Sequence, residues 1–265
     1  MTKAWDAALG MLKANREIAL VLAGVFVFLP ILAMSLGLDT SELENLAQSE
    51  ASPEKLMEAL TAHLTQYWWV YVVTSIVQTV GTIALYRVFA HYDRPTVAEA
   101  MKAGLSLILV ALAAQILSTF AALSLPALAF LIGGPVGAIV GLVSFPVMFY
   151  VVIKLAMVTP VIALETERNP LHALNRSWQI SRGNSFRMAG FFALLILAGT
   201  VLYLIASLVF GTVLALIGPA AATIGNAIFG AAFNTVGSVL ACAVLAAIYT
   251  QFVRPTAPIR DTGSE

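Results

Sequence analysis

The chain has 265 residues, of which 60% are hydrophobic and only 11% charged, with a mean hydropathy of +0.92 and a net charge of zero. A water-soluble domain carries about 25% charged residues, so this composition excludes an ordinary hydrated surface and places the chain in a bilayer. The balanced charge offers no excess of either sign for nucleic acid or an acidic substrate.

Near the N-terminus, "WDAALGMLKANRE" predicts a short amphipathic helix. Ile18 to Leu38 is then the first of six segments able to cross a hydrocarbon core about 30 Å thick, which takes about 20 helical residues. It exceeds the apolar core of a cleaved leader, about 7 to 15 residues, and no small-x-small site follows, so an uncleaved anchor is expected. An acidic loop, 39–66, gathers Asp39, Glu42, Glu44, Glu50, Glu54 and Glu58. Within it Ser52 and Pro53 suit a helix start, and Leu56, Leu60 and Leu64 recur every four residues, which predicts a helix running into the second span, Tyr67 to Phe89. Tyr67, Trp68, Trp69 and Tyr71 stand where an aromatic belt belongs.

"RPTVAEAMKAG" predicts a second amphipathic helix, with Thr96 and Glu99 spaced as a capping box. The third and fourth spans, Gly104 to Ile132 and Val136 to Leu164, are divided by a tight turn at "IGGPVG". A third short helix follows, in "NPLHALNRSWQISRGNSFRMAG": Asn169 suits its cap, Pro170 its first turn and Gly183 its end. Leu171, Leu174 and Trp178 share one face that would dip toward acyl chains, with Trp178 as interfacial anchor and the basic side chains beside phosphates. Spans five and six, Arg187 to Ile217 and Ala221 to Val253, are divided at "IGPAA", and the polar, proline-interrupted tail 254–265 is expected to be flexible.

The expected fold is therefore all-α. It is a single six-span membrane domain over 1–253, three hairpins each preceded by a cytoplasmic amphipathic helix, with 39–66 as an extracytoplasmic loop. Lysines and arginines set the orientation: Lys3, Lys13, Arg16, Arg87, Arg94 and Lys102 fall on one side, as do Arg168, Arg176, Arg182, Arg187, Arg254 and Arg260. Only Lys55 falls on the other, which predicts both termini in the cytoplasm.

His63, His91 and His172 lie in separate segments without ligand spacing, so no metal site is expected. No nucleophile motif, phosphate-cradling glycine loop or intramembrane carboxylate pair is present, and neither a cofactor nor an enzymatic activity is expected. Cys242, the single cysteine, excludes an internal disulfide. Lys154 is the one formally charged side chain well inside a span, a placement that costs about 2.5–3.5 kcal/mol unless the group pairs, snorkels or lines a wet path. Snorkelling to the headgroups is the plainer reading. Arg168, Arg176, Arg182 and Arg187 form the densest basic cluster, explained by topology alone or, more sharply, by Arg176, Arg182, Arg187 and Lys154 surrounding one lipid phosphate. Gly133, Gly137 and Gly141 make a close-packing face, as do Asn226, Gly230, Asn234, Gly237 and Ala241; Gln78 and Gln115 read as interhelical glue.

The stretch "VIALETERNPLHALNRSWQISRGNSFRMAGFFAL", residues 161–194, resembles the signature of the membrane domain attached to some bacterial glycerophosphodiester phosphodiesterases and of related stand-alone six-span inner-membrane proteins of the YciC type. The features that match are "TPVIALE" ending a span, a proline, "AL-x-RSW", "RG" and a further arginine before the next span. The resemblance implies a bacterial inner-membrane location. Catalysis is not expected to carry over with it, since these 265 residues are taken up by the six spans and the additional catalytic barrel would need about 200–250 more. The leading expectation is a non-enzymatic membrane protein that binds anionic phospholipid headgroups and assists envelope or lipid homeostasis. A small transporter or channel for an anionic solute, with Lys154 on an aqueous route, and a membrane scaffold or assembly factor gripped through 39–66 remain as alternatives.

Overall fold

The computed structural model describes residues 2–49, 52–90 and 96–253. In chain order these form α1 (Thr2–Ala14), α2 (Arg16–Ala23), a π turn (Gly24–Phe28), α3 (Leu29–Gly37), α4 (Ser41–Gln48), α5 (Pro53–Ala90) and α6 (Val97–Ile132). They continue with α7 (Gly134–Leu155), α8 (Val158–Glu165), α9 (Pro170–Ile180), α10 (Ser185–Ile217) and α11 (Pro219–Val253). Six helical segments are long and apolar enough to cross a membrane: Arg16–Gly37, Glu54–Ala90, Val97–Ile132, Gly134–Glu165, Ser185–Ile217 and Pro219–Val253. The all-α, six-span architecture expected from hydropathy is the one observed. The tail 254–265 with Arg254 and Arg260, as well as Glu50, His91 and Arg94, lies outside the described residues.

Local chemistry sets the boundaries. Gly133 and Gly134, at φ 61° and 58°, turn the α6–α7 hairpin, and Gly218, at φ 141°, turns α10 into α11; side chains rarely adopt these angles. Thr96 and Glu99 form the expected reciprocal cap at the start of α6. Asn169 caps α9 through the Leu171 and His172 amides. Pro30, lacking an N–H, follows the π turn, where Leu29 N–H reaches back five residues to the Gly24 carbonyl.

α5 is continuous for 38 residues, so the helix expected at Ser52–Pro53 does run into the second span. At 1.5 Å per residue it is about 57 Å long, nearly twice a hydrocarbon core, and its first turns, with α4 packed against them, stand clear of the bundle at the acidic end. Trp68 and Trp69 are exposed there, as belt residues facing lipid would be. The second amphipathic segment does not form a separate helix. Val97–Ile132 is unbroken, because Gly104 is tolerated in mid-helix and fits where a Cβ would meet the Val80 carbonyl oxygen at 2.7 Å. α1 is a separate helix, but it packs on α11 with Ala4 and Ala8 fully buried and Trp5 edge-on to Phe191 at 6.4 Å.

The core sits toward the basic end, where α1, the end of α5, α8, α9 and the end of α11 converge. α8 is its hub: Val158, Pro160, Val161, Ile162 and Ala163 are all buried. The glycine faces divide. A Cβ at Gly137 would meet the Ala129 carbonyl oxygen at 2.6 Å, so α6 and α7 approach closely there. Gly230 and Gly237 have no atom within 4 Å of a Cβ position, so of the expected face of the sixth span only Asn226, whose Oδ1 lies 3.8 Å from the Cβ position of Gly211 on α10, is shown against a neighbouring helix; Ala243, Ala246 and Ala247 of α11 are fully buried.

The tightest contact in the bundle gives a stability prediction. A Cβ at Gly81 would fall 2.2 Å from the Phe26 Cβ, so Gly81→Val is expected to cost about 1–3 kcal/mol, read as a lower unfolding temperature in detergent. Gly10→Ala, with open space around its Cβ position, is expected to be neutral or stabilising by up to about 1 kcal/mol.

Candidate functional site

The site begins with a broken helix. Pro160 carries no N–H and its ring crowds the carbonyl four residues back, at Ala156, so the fourth span cannot remain straight. The ladder stops at Ala156 and Met157: Ala156 N–H turns to the Ile153 carbonyl at 3.4 Å, and bonding resumes with Val161 N–H to Met157 at 2.9 Å. The Lys154 carbonyl is thereby released from the ladder, in a region where an unpaired carbonyl costs several kcal/mol. Hydroxyls from α9 take its place. Ser177 Oγ donates to it at 2.8 Å; Ser181 Oγ lies 3.3 Å from it and shares its one proton between it and the Ser177 carbonyl at 2.9 Å, both serines having no exposed surface.

These bonds seat the elbow on the bundle. Ala173, Ser177 and Ser181 recur every four residues and form the buried face of α9 and its following turn. Leu171 and Trp178 are largely exposed, so the expected apolar face is only partly a packing face; the small polar residues make the contact with the bundle. Sequence periodicity misses this, because serine scores as polar and its partner is a carbonyl that a distant proline sets free.

Lys154 is 3% exposed and does not reach out toward headgroups. Its ammonium lies over the rings of Tyr150 and Trp178, 5.5 and 5.3 Å from their centroids, and the two rings meet edge-on at 5.9 Å. Among the described residues the two acid–base contacts, His172–Glu167 and Arg176–Glu165, do not involve it. A desolvated cation–π contact is worth about 2 kcal/mol, so two rings offset an insertion cost of about 2.5–3.5 kcal/mol without a carboxylate. Trp178 thus covers the lysine while keeping 40% of its surface accessible.

On the opposite side of α9, Arg176 and Arg182 line a cleft of about 480 Å³ together with Gln179, Asn184 and Gln251. Arg176 and Trp178 are two positions apart in the sequence, which turns them about 200° apart on a helix. The single headgroup site of Arg176, Arg182, Arg187 and Lys154 is therefore not assembled: Lys154 lies under Trp178, and neither it nor Arg187, exposed in the first turn of α10, lines the cleft. Arg176 is aimed by its Nε, which donates to Glu165 Oε1 at 3.1 Å; the same oxygen accepts from Tyr249 Oη at 2.7 Å, so α8, α9 and α11 meet on one carboxylate. Arg182 has no partner among the described residues. Arg168 is exposed and outside the cleft.

Two neighbouring groups escaped sequence reasoning. Thr166 holds a left-handed backbone, φ 56°, at the end of α8, and Arg87 Nη2 donates to its hydroxyl at 2.9 Å. Glu167 accepts the Arg168 and Asn169 amides and contacts His172. The Asn169 amide above all, then His172, holds its carboxyl below the usual glutamate value of 4.5. None of these was visible as a local motif.

Residues 127–257 match the membrane domain of glycerophosphoryl diester phosphodiesterase. The match bears out the resemblance drawn from 161–194. It runs from the end of α6 to four residues past α11, so the broken span, the elbow and the arginine cleft all lie within the matched stretch. No curated protein and no solved structure gives a significant match.

Two predictions concern the elbow. Removing both hydroxyls, Ser177→Ala with Ser181→Ala, leaves a buried carbonyl unpaired and is expected to cost about 1–3 kcal/mol of thermal stability, whereas Ser181→Ala alone leaves the shorter bond and is expected to cost less. Glu167 has a lowered folded pKa, so its contribution is fully present above about 4.5 and is lost as pH falls through the depressed value. A pH series of melting temperatures is expected to show this acid-limb loss in the native chain and less of it in Glu167→Gln.

Proposed function

We propose that this chain is a non-enzymatic integral protein of the bacterial inner membrane, that its basic end faces the cytoplasm, and that the Arg176–Arg182 cleft holds the phosphate of an anionic phospholipid headgroup. The observation that carries the reading is the pairing of two guanidinium groups with three side-chain amides in one cleft where α9 meets the end of α11. Arg176 spends its Nε on Glu165 and so presents its remaining donors in a fixed direction, while Arg182 is free to close on a ligand from the other side. A planar guanidinium binds two phosphate oxygens at once, and the amides of Gln179, Asn184 and Gln251 supply donors for the others and acceptors for headgroup hydroxyls.

Orientation follows from the one-sided distribution of lysine and arginine, which also attracts the anionic lipid of a cytoplasmic leaflet at about 1 kcal/mol per exposed basic residue. Such diffuse attraction acts on every basic side chain at this end. The cleft adds a defined stoichiometry and a preference for phosphate over other anions, which suits a role in envelope or lipid homeostasis.

The test separates the cleft from its surroundings. Full-length protein is purified in mild detergent and its retained phospholipid measured by mass spectrometry. Arg182→Gln, which breaks no contact among the described residues, is expected to lower retained anionic phospholipid about tenfold, the equivalent of one charge-assisted hydrogen bond. Arg187→Gln, outside the cleft, is expected to change it far less. Equal, small losses from both would reduce the cleft to ordinary surface charge.

A further inference from the structure

A second cavity lies in the apolar depth of the bundle, about 26 Å from the arginine cleft along α11, the rise from Asn234 to Gln251. Its volume is about 430 Å³, and α3, α5, α6 and α11 all contribute to its wall. Two adjacent rows of α5 face it at four-residue spacing: Tyr71, Ser75 and Thr79 in one, Thr74, Gln78 and Thr82 in the other. Gln115 comes from α6 and Asn234 from α11. No charged side chain is part of the lining.

Some of these groups satisfy one another and some do not. Gln115 Nε2 donates to Thr79 Oγ1 at 3.2 Å, Tyr71 Oη pairs with His63 at 3.1 Å, and Asn234 Oδ1 accepts from Ser238 at 3.3 Å. Gln115 is thus the interhelical glue expected of it. Gln78 is not: it has no hydrogen-bond partner among the described residues, and neither have the hydroxyls of Thr74, Ser75 and Thr82. Gln78 and Thr82 are both half-buried, with their polar atoms open to the cavity, and a primary amide offers two donors and a carbonyl acceptor. Groups of this kind facing a cavity call for an uncharged partner that both donates and accepts.

Beside this cavity, sharing Ser75 and Gln115 with it, runs a groove of about 740 Å³ between α5 and α6. Its walls are apolar: Leu112, Ile116, Phe120 and Leu123 on α6, Val72 and Ile76 on α5. From Leu112 to Ala127 it follows α6 for about 22 Å, more than the roughly 15 Å depth of one leaflet. Because Gln115 pairs with Thr79 and the helices are antiparallel, Ala127 is level with Tyr67 and Leu112 with Thr82, so the groove runs inward from the level of Trp68 and Trp69 and passes the cavity over its deeper part. An alkyl chain in the groove passes Ser75 and Gln115, the two residues through which groove and cavity meet.

We infer that this paired cavity and groove is a binding site for an uncharged, hydroxyl-bearing amphiphile, its hydroxyls on Gln78 and Thr82 and its alkyl chain between α5 and α6. The site goes beyond the headgroup cleft in place and in chemistry, since a charged phosphate has no counter-charge here. It lies outside the stretch matched to the membrane-domain family apart from Asn234 and Ala127.

The test uses the full chain in phosphatidylcholine nanodiscs and two photoreactive probes, a long-chain 1,2-diol with a diazirine in its alkyl chain and the matching hydrocarbon without hydroxyls. Labelled positions are mapped by peptide mass spectrometry. The diol is expected to label 112–127 about fivefold more than the hydrocarbon, the ratio one net hydrogen bond supplies. Gln78→Leu, which loses no bond among the described residues, is expected to bring the two probes level, and Thr82→Val to narrow the gap. Equal labelling of the native chain by both probes would overturn the site, leaving bulk lipid in a groove and water in the cavity. A diol advantage unchanged in both variants would overturn the assignment to Gln78 and Thr82. Protection by short 1,2-propanediol as strong as by unlabelled long-chain diol would overturn the amphiphile in favour of a free solute.

Discussion

The bond from the Ser177 hydroxyl to the Lys154 carbonyl, with Ser181 Oγ shared between that carbonyl and the Ser177 carbonyl, is what the basic half of this molecule is built around. Pro160 interrupts the fourth span, and an interrupted helix within a bilayer must find new partners for its backbone. Here the partners come from α9, so one repair both closes the break and fixes the elbow. With α9 seated on Ala173, Ser177 and Ser181, its other residues have no freedom in where they point: Trp178 falls over Lys154, and Arg176 falls on the far side beside Glu165. At the end of α8, beyond the break, Glu165 accepts from Tyr249, which ties the fourth span to the sixth.

Polar groups inside this bundle are handled in three ways. A backbone carbonyl is met by hydroxyls, an ammonium by two aromatic faces, and Gln115 by a threonine across the helix pair. Each removes a cost that hydrocarbon would impose. Gln78 and Thr82, with Thr74 and Ser75 beside them, depart from that pattern, and the space in front of them is where a ligand fits. The two candidate sites thus differ in kind: the arginine cleft matches charge at an interface, and the intramembrane cavity matches hydrogen-bonding capacity where charge is absent.

Features that depend on one segment were legible in the amino-acid sequence. The spans followed from apolar length, the hairpins from Gly133, Gly134 and Gly218, and the caps from Thr96 with Glu99 and from Asn169. Features that depend on two distant segments were not. Pro160 stood in view, but its consequence needs Ser177 and Ser181 from another helix, and serine on a helix face carries no hydropathy signal. The grouping of Lys154 with the arginines failed for the same reason: nearness in sequence says nothing about the opposite faces of α9. Gly104 read as a boundary, yet it permits close approach to Val80 within one continuous helix. On α5 the four-residue spacing of hydroxyls and amides was present, but only the cavity before Gln78 separates a binding row from ordinary packing.

Isotope-edited infrared spectroscopy tests the joint most directly, with a 13C=18O label on the Lys154 carbonyl of the full chain. The account predicts a hydrogen-bonded amide I frequency in the native protein that rises when Ser177 and Ser181 are both replaced by alanine. A frequency indifferent to those replacements would mean that the carbonyl is held by its own helix, and the seating of α9 on a broken span would be contradicted.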